Sequence, residues 1–203
     1  MKALIQQQLQ HSINTMQAVR DDEQLNEAVL RAAELTANAL KNGNKLMVAG
    51  NGGSAADAQH LVAEFVARLT VDRPALAALA LTTDTSILTA VSNDHSYDNI
   101  FERQIEALGR PGDVFLAIST SGNAKSIVKA LHMARRMGIH TVGYTGNGGG
   151  LAGPLCDICV IVPSKVTMQI QECHLALEHI LCMLVERLCF GMDFDKEPSQ
   201  IIR

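Results

Sequence analysis

A short apolar run, a glycine-rich turn and an amphipathic helix follow one another in residues 45–69. Residues 46–49 are apolar and have turn residues on both sides, which predicts a strand buried on both faces of a parallel sheet. The glycines of residues 50–53 allow a sharp turn, and Ser54 is the expected N-cap of the helix. The apolar face of this helix is expected to join the core and consists of Leu61, Val62, Phe65, Val66 and Leu69.

The same helix carries His60 and Glu64, which are four residues apart and therefore share one of its faces. An imidazole and a carboxylate in this arrangement can bind a metal ion or transfer protons. The alternative is an exposed polar face with an incidental contact between the two side chains. The pair alone does not distinguish a functional site from an exposed polar face. Support for a site has to come from other polar residues of the chain.

Strands and helices alternate along most of the chain. After the first unit, strands are predicted at residues 76–81, 114–118, 140–144 and 159–162, and helices at 85–93, 97–108, 124–137 and 167–188. This order predicts a flavodoxin-like, three-layer α/β/α sandwich with a central five-stranded parallel sheet, in which ligands collect at the carboxyl ends of the strands. Two extra helices in residues 1–44 precede the first strand and are expected to serve in packing and oligomerisation.

Length and composition favour one compact domain. Of the 203 residues 47% are hydrophobic, and no stretch resembles a linker. We divide this domain into the N-terminal helices (1–44), the α/β core with the final helix (45–191) and a C-terminal tail (192–203). The sequence shows no secretory signal or membrane span, so we expect a cytoplasmic protein without a membrane partner. A net charge of −4 and 3% aromatic residues argue against a nucleic-acid-binding surface.

The chain contains five cysteines, an odd number, and reduced thiols are expected in a protein without a secretion signal. Cys156 and Cys159 form a C-x-x-C motif, which is compatible with half of a zinc site or with a redox pair. There is no second pair, and Cys159 begins a predicted strand. We therefore interpret both cysteines as structural residues.

Two loops follow predicted strands. Residues 119–123 (Ser-Thr-Ser-Gly-Asn) precede a predicted helix, so hydroxyls and backbone N–H groups surround a helix N-terminus, an arrangement that binds phosphate. Ordinary N-capping accounts for one hydroxyl but not for three in a row. Residues 148–153 match G-x-G-x-x-G, but Pro154 follows at once, no helix is predicted there and no suitably placed acidic residue follows. These features argue against a dinucleotide site and favour a flexible glycine loop.

The last predicted helix carries a second polar set. Gln171, His174, Glu178 and His179 fall within roughly 140° of one another around the helix axis. One alternative is a solvated outer stripe. However, buried polar side chains need partners, and the polar pair of the first helix is a matching set.

Five separated motifs resemble those of the phosphoheptose isomerases, a family with the sugar isomerase (SIS) fold. The motifs are Gly50-Asn51-Gly52-Gly53-Ser54-Ala55-Ala56-Asp57-Ala58-Gln59-His60, Glu64, Asn93-Asp94, Ser119-Thr120-Ser121-Gly122-Asn123 and Gln171-Glu-x-His-x-x-x-x-His179. The likeness extends from the N-terminal helices to about Gly191. It implies a homotetramer with active sites at subunit interfaces. It also implies conversion of sedoheptulose 7-phosphate to D-glycero-D-manno-heptose 7-phosphate, the first step of ADP- or GDP-heptose precursor synthesis for lipopolysaccharide or surface polysaccharide.

The resemblance also implies a set of site residues. One Zn²⁺ per subunit would be bound by His60, Glu64, Gln171 and His179. The phosphorylated seven-carbon sugar would contact Asn51, Gly52, Gly53, Ser54, Glu64, Asn93, Asp94, Ser119, Thr120, Ser121 and Gln171. To move the carbonyl of a 2-ketose by one carbon, we assign Glu64 as the base and His179 as the acid. Zinc binding and proton transfer compete for these two side chains, because a group fixed on zinc is a poorer proton carrier.

Two points qualify the resemblance. The family commonly has Ser at the position of Ala124, so one hydroxyl for the phosphate is missing here. The alternative identity is the non-catalytic replication-initiator-associating protein of the same fold, which lacks the acid and the histidine corresponding to Glu64 and His179. Because Gln171 and His179 are about 12 Å apart along the helix axis, we also hypothesise that the last helix of one subunit faces the His60 helix of another.

Overall fold

A computed structural model describes residues 1–192, so the predicted C-terminal tail lies outside the described residues from residue 193 onward. Its centre is a sheet with the strand order β2-β1-β3-β4-β5, in which every neighbouring pair is parallel. The strands are β1 (Leu46–Gly50), β2 (Ala78–Ala80), β3 (Val114–Ser119), β4 (His140–Thr145) and β5 (Ile158–Ile161). The predicted five-stranded parallel sheet is confirmed. Its order changes direction between β1 and β3, which is where open α/β sheets bind ligands.

The described residues form seven α-helices. They are α1 (Lys2–Asp21), α2 (Glu23–Lys41), α3 (Gly53–Val66), α4 (Thr85–Asp94), α5 (Ile100–Leu108), α6 (Lys125–Arg136) and α7 (Thr167–Phe190). Short 3-10 turns occupy Tyr97–Asn99, Asn147–Gly149 and Gly153–Leu155. The predicted helix over residues 97–108 is therefore a 3-10 turn followed by α5, and the glycine loop contains two such turns.

The sheet separates two apolar cores, which makes the molecule a three-layer sandwich. Leu46 and Val48 of β1 face a core that they share with α1, α2, α3 and α7. Met47 and Ala49 of the same strand face the opposite core, which contains α5 and α6. All four residues are at most 1% exposed. Alternate strand residues point to opposite faces, so a continuous apolar run supplies both cores.

Three local predictions are wrong. Ser54 is not the N-cap of α3, because the helix begins at Gly53 and the capping position is Gly52 with φ 58° and ψ −122°. Val66 is 48% exposed, since α3 ends at this residue instead of continuing along the core. The second strand is limited to Ala78–Ala80, because it is an edge strand that pairs only with β1.

Helix α1 buries little of its apolar surface. Thr15 and Val19 are its buried residues, whereas Leu4, Ile5 and Leu9 are 58%, 60% and 60% exposed. Such a stripe is compatible with the predicted role of residues 1–44 in oligomerisation, which stays a prediction. None of the helices in residues 1–192 combines the length and the hydropathy that a bilayer-crossing helix needs.

A buried ion pair fixes the end of α3 against α7. Glu186 of α7 is fully buried and accepts a hydrogen bond from Arg73 Nε at 2.9 Å. It also accepts hydrogen bonds from the backbone N–H groups of Leu69 and Thr70 at 3.0 Å and 3.2 Å. Arg73 in turn donates to the carbonyl oxygen of Glu64 at 2.8 Å. The pair therefore holds the last turn of α3, which carries Glu64, in a fixed position.

We expect Glu186→Ala to lower the free energy of unfolding by ~3–5 kcal/mol, because the side chain of Arg73 would stay buried without its anionic partner. Urea unfolding at one fixed protein concentration measures this loss. Glu172→Ala is the matched control, since Glu172 is an exposed residue of the same helix. The control is expected to change stability by less than ~0.5 kcal/mol. Equal effects of the two substitutions would show that the ion pair does not hold the helices together.

Candidate active site

The loop between β3 and α6 presents an uncapped helix N-terminus. Helix α6 begins at Lys125, and the preceding Ala124 provides no side-chain cap. Ser121 Oγ instead accepts a hydrogen bond from Asn123 N at 3.1 Å within the loop. None of the three hydroxyls acts as an N-cap, so the capping alternative is wrong for this loop. The N–H groups of the first turn of α6 therefore need another acceptor, and an anion is a suitable one.

A cavity of about 170 Å³ lies in front of this helix end. The hydroxyls of Ser119 and Thr120 have no hydrogen-bond partner within residues 1–192 and are available to a ligand. The residues lining the cavity come from the loops after β1 and β3 and are Asn51, Ser54, Ile118, Ser119, Thr120, Ser121 and Ala124. The structure thus brings together the predicted phosphate loop and two predicted substrate-binding residues of the β1–α3 unit.

The glycine loop after β4 packs tightly against the phosphate loop. A Cβ atom on Gly122 would lie 2.1 Å from the carbonyl oxygen of Gly149, and one on Gly150 would lie 2.7 Å from that of Ser121. Thr120 O accepts a hydrogen bond from Gly146 N at 3.2 Å. These glycines allow the backbones of the two loops to approach each other. This close approach accounts for the number of glycines, so a dinucleotide-binding role is not needed to explain them.

Both the nitrogen and the oxygen of the Asn51 side-chain amide form hydrogen bonds. Its Nδ2 donates to Ser126 Oγ at 3.0 Å, and its Oδ1 accepts a hydrogen bond from Tyr97 Oη at 2.8 Å. Sequence reasoning missed both partners. Ser126 follows the phosphate loop closely enough to have been considered, whereas no local pattern marked Tyr97. These contacts fix the carboxamide of Asn51 at the edge of the cavity.

His60, Glu64 and His179 form a compact cluster between α3 and α7. The Nε2 atoms of the two histidines are 2.8 Å apart, and Glu64 Oε1 lies 3.7 Å from His60 Nε2. The three ligand atoms all lie within 4.8 Å of one another. Three of the four predicted metal ligands therefore converge, although His179 is 119 residues from His60 along the chain.

Gln171 lies about two turns nearer the start of α7 than His179 and approaches the start of α3. Its Nε2 donates to Asp57 Oδ2 at 2.9 Å. A Cβ atom on Gly53 would lie 2.4 Å from the same nitrogen, so glycine is required for this approach. Burial raises the pKa of Asp57, and the hydrogen bond from Gln171 opposes that shift. With its nitrogen bound to Asp57, Gln171 presents its oxygen for any further contact.

The cluster fits the zinc ion that the resemblance implies. Imidazole nitrogen and carboxylate oxygen are common zinc ligands, and a catalytic site has three protein ligands with an open position. Two Nε2 atoms cannot both carry hydrogen at 2.8 Å, so at least one presents a lone pair toward the shared space. The side chains of His60 and Glu64 are 43% and 20% exposed, which leaves an approach for substrate.

The hypothesis that the last helix of one subunit faces the His60 helix of another is wrong for this cluster. Within one chain, α7 packs against α3 and brings His179 directly to His60. The two helices run alongside each other, so Gln171 meets the first half of α3 while His179 meets its second half. The distance between Gln171 and His179 therefore requires no second subunit to supply either residue.

The polar face of α7 divides into two groups, contrary to the expectation that it faces α3 as one set. His174 and Glu178 are both fully buried. His174 Nε2 lies 3.0 Å from the carbonyl oxygen of Thr145, which assigns its hydrogen to Nε2. Burial lowers the pKa of His174 to about 4 and raises the pKa of Glu178 to about 9, so both are neutral at pH 7. Glu178 has no hydrogen-bond partner within residues 1–192.

The predicted substrate-binding residues Asn93 and Asp94 lie at the exposed end of α4. Asn93 Nδ2 donates to Asp94 Oδ1 at 2.9 Å. Helix α4 packs against the 3-10 turn Tyr97–Asn99, whose first residue contacts Asn51. The structure therefore connects the pair to the cavity only indirectly, and a direct role in binding the sugar stays a prediction.

Comparison with known proteins places this geometry in a family. Residues 9–146 match the SIS domain. The phosphoheptose isomerase of Aneurinibacillus thermoaerophilus is 50% identical over 194 residues, which are 96% of this chain and 98% of that relative. Phosphoheptose isomerase 2 of Campylobacter jejuni is 50% identical over 183 residues, covering 90% and 91% of the two chains.

Solved structures agree with the sequence comparison. The phosphoheptose isomerases of Neisseria gonorrhoeae and Francisella tularensis superpose with TM-scores of 0.86 and 0.88 at 39% and 33% identity. Each alignment covers 91% of this chain and 98% or 97% of the solved chain. Fold and site therefore define an SIS-domain isomerase. Within that class, the chain belongs to the phosphoheptose isomerase family.

We expect His60→Ala to weaken Zn²⁺ binding by more than about 100-fold, because loss of a ligand costs more than the 10–100-fold typical of a supporting residue. Competition with a fluorescent chelator, using the full-length protein after metal removal, measures the affinity. His132→Ala, which removes an exposed histidine of α6, is the control. Equal affinities of the two variants would contradict the assignment.

We expect Thr120→Ala to weaken the binding of inorganic phosphate by about 10-fold, since one hydrogen bond to a charged group is lost. Isothermal titration calorimetry measures the affinity, and Thr120→Ser, which retains the hydroxyl, is the matched control. Ala124→Ser is expected to leave binding unchanged or to strengthen it. A clear loss of affinity in Ala124→Ser would show that phosphate binds elsewhere.

Proposed function

We propose that the chain converts sedoheptulose 7-phosphate to D-glycero-D-manno-heptose 7-phosphate. The observation that carries the proposal is that Glu64 of α3 lies beside His179 of α7, and that the first turn of α3 also lines the anion cavity. Ser54 and His60 are six residues apart, or about 9 Å along the helix axis. That distance is comparable to the length of an extended seven-carbon sugar. Two relatives that are 50% identical to the chain are phosphoheptose isomerases, which supports the same substrate.

The reaction exchanges a proton between two neighbouring carbons of the sugar. The Glu64 carboxylate removes a proton from C1 of the ketose, while His179 protonates the oxygen at C2 to give an enediol. Return of the proton to C2 and removal of one from the oxygen at C1 complete the aldose. A bound Zn²⁺ would supply positive charge to the developing oxyanion and would be held by His60, Glu64, Gln171 and His179.

The phosphate end of the substrate fixes the position of the reacting carbons. Ser119, Thr120 and Ser121, with the N–H groups at the start of α6, bind the phosphate oxygens. Asn51 lines the cavity on the side of α3. Hydrogen bonds to Ser126 and Tyr97 fix the position of its side-chain amide. A substrate anchored there and extending along α3 presents C1 and C2 to the catalytic cluster.

The assembly and cellular role belong to the same proposal. The exposed apolar stripe of α1 supports a homotetramer, in which active sites lie near subunit interfaces although Glu64 and His179 come from one chain. A phosphorylated sugar does not cross membranes unaided, which supports a cytoplasmic location. The product would supply ADP- or GDP-heptose precursors for lipopolysaccharide or another surface polysaccharide.

The test is a direct isomerisation assay with sedoheptulose 7-phosphate and no added nucleotide. We expect the wild-type protein to turn over and Glu64→Gln to lower kcat by about 10² or more, because the amide cannot accept the proton. KM is expected to change little, since the phosphate site is intact. Glu106→Gln is the control, because Glu106 is an exposed residue of α5 that pairs with Arg103.

Near-normal turnover by Glu64→Gln would refute the assignment of the base. Absence of turnover by the wild-type protein, together with tight binding to a replication initiator, would refute the isomerase proposal. No reported relative and no feature of residues 1–192 favours that non-catalytic alternative.

A further inference from the structure

The C-x-x-C motif lies beside the phosphate loop and takes no part in the proposed isomerisation. Cys159 pairs in register with Gly143 of β4, and Cys156 follows the 3-10 turn Gly153–Leu155. A Cβ atom on Gly143 would lie 2.5 Å from Cys156 Sγ and 3.2 Å from Cys159 Sγ. In a straight strand, residues three apart point to opposite faces, but the chain bends at Asp157. Both sulfur atoms therefore occupy the space above one glycine.

The two thiols differ in their surroundings. Cys156 Sγ donates to the carbonyl oxygen of Ala152 at 3.3 Å, and Cys159 Sγ lies 3.5 Å from Thr145 Oγ1. The neighbouring Cys156 thiol lowers the pKa of Cys159 to about 7. The same contact, together with burial, raises the pKa of Cys156. Cys159 thus has the character of an attacking thiolate, and its neighbour keeps its proton until it resolves a mixed disulfide.

The other three cysteines lack this arrangement. Cys173 and Cys182 are buried in the core between α7 and the sheet, and burial raises the pKa of Cys173 to about 11. Cys189 donates to the carbonyl oxygen of Ala37 at 3.9 Å, and burial raises its pKa as well. Only Cys156 and Cys159, among residues 1–192, combine partial exposure with a neighbouring thiol.

We propose that Cys156 and Cys159 are a redox modification site that forms a reversible intramolecular disulfide. The Cys159 thiolate attacks one sulfur of a small disulfide such as oxidised glutathione, and one glutathione thiolate leaves and takes up a proton. Cys156 loses its proton and attacks Cys159 Sγ, so the protein disulfide forms and the second glutathione leaves. Two protein thiols are oxidised, and one glutathione disulfide is reduced to two thiols.

The modification site is connected to the phosphate loop on two sides. Ala152, which accepts the hydrogen bond from Cys156, donates its own N–H to Gly122 O at 2.9 Å. On the other side, Thr145 contacts Cys159, and the next residue, Gly146, donates to Thr120 O at 3.2 Å. A disulfide removes the thiol donor to Ala152 and draws Cys159 away from Thr145. Oxidation is therefore expected to weaken phosphate binding. This consequence rests on the proposed anion site, whereas formation of the disulfide does not depend on that site.

The experiment incubates the folded full-length protein in glutathione buffers of increasing oxidised fraction, then alkylates the remaining thiols and measures the intact mass. We expect loss of two of the five alkylatable thiols, with a peptide map that joins Cys156 to Cys159. Dithiothreitol is expected to restore all five. If all five thiols persist in oxidised glutathione, or if the lost pair includes another cysteine, the proposal is wrong.

Single substitutions test the assigned roles. Cys156→Ser is expected to accumulate a glutathione adduct on Cys159, because the resolving thiol is absent. Cys159→Ser is expected to accumulate less adduct on Cys156, and Cys189→Ser is expected to form the disulfide as the wild type does. A larger adduct on Cys156 than on Cys159 would overturn the assignment of the attacking thiol. Oxidised protein is expected to bind inorganic phosphate more weakly than reduced protein, and the double variant Cys156→Ser/Cys159→Ser is expected to show no such difference. Equal binding of the two forms of the wild type would overturn the coupling alone.

Discussion

The cluster of His60, Glu64 and His179 depends on the packing of α3 against α7 within one chain. Both helices follow parallel strands and cover the same face of the sheet, so they run side by side in the same direction. Gln171 and Asp57 join the two helices near their beginnings, and Glu186 joins α7 to Arg73 beyond the end of α3. His60, Glu64 and His179 lie between these two contacts. Their alignment therefore follows from a fixed position of one helix relative to the other.

The anion cavity depends on a different constraint, the order of the strands. Because β1 and β3 are neighbours at the point where the sheet order reverses, the loops that follow them open toward the same space. Asn51 reaches Ser126 across this gap. Glycine at positions 122 and 150 then lets the loop after β4 support the phosphate loop from behind, at distances that no side chain would allow. The anion cavity and the cluster of His60, Glu64 and His179 are thus positioned by different contacts, and α3 contributes residues to both.

Much of this arrangement could be predicted from the sequence. Apolar runs and helical periodicity predicted all five strands and all of the long helices. A strand buried on both faces leaves a continuous apolar run in the sequence, and a helix buried on one face leaves a periodic apolar pattern. Predictions failed where the position of a side chain depends on contacts with other segments of the chain. Ser54 was expected to cap α3, but it lies inside the first turn and lines the cavity. Tyr97 carried no signal, since its contact with Asn51 connects segments that are far apart in sequence.

The sequence by itself determined the order of the elements, the residue types at the ends of the strands and the presence of histidine and carboxylate side chains on the polar faces of two helices. Only the tertiary structure decided which of them meet. The distance between Gln171 and His179 suggested that two subunits share the site, yet His60 and His179 are in contact within one chain. Periodicity specifies which face of a helix is buried, but the axial position of one helix along another depends on the packing of the whole layer. A bend at Asp157 brings Cys156 and Cys159 over the same glycine, Gly143, and sequence reasoning had interpreted both cysteines as structural.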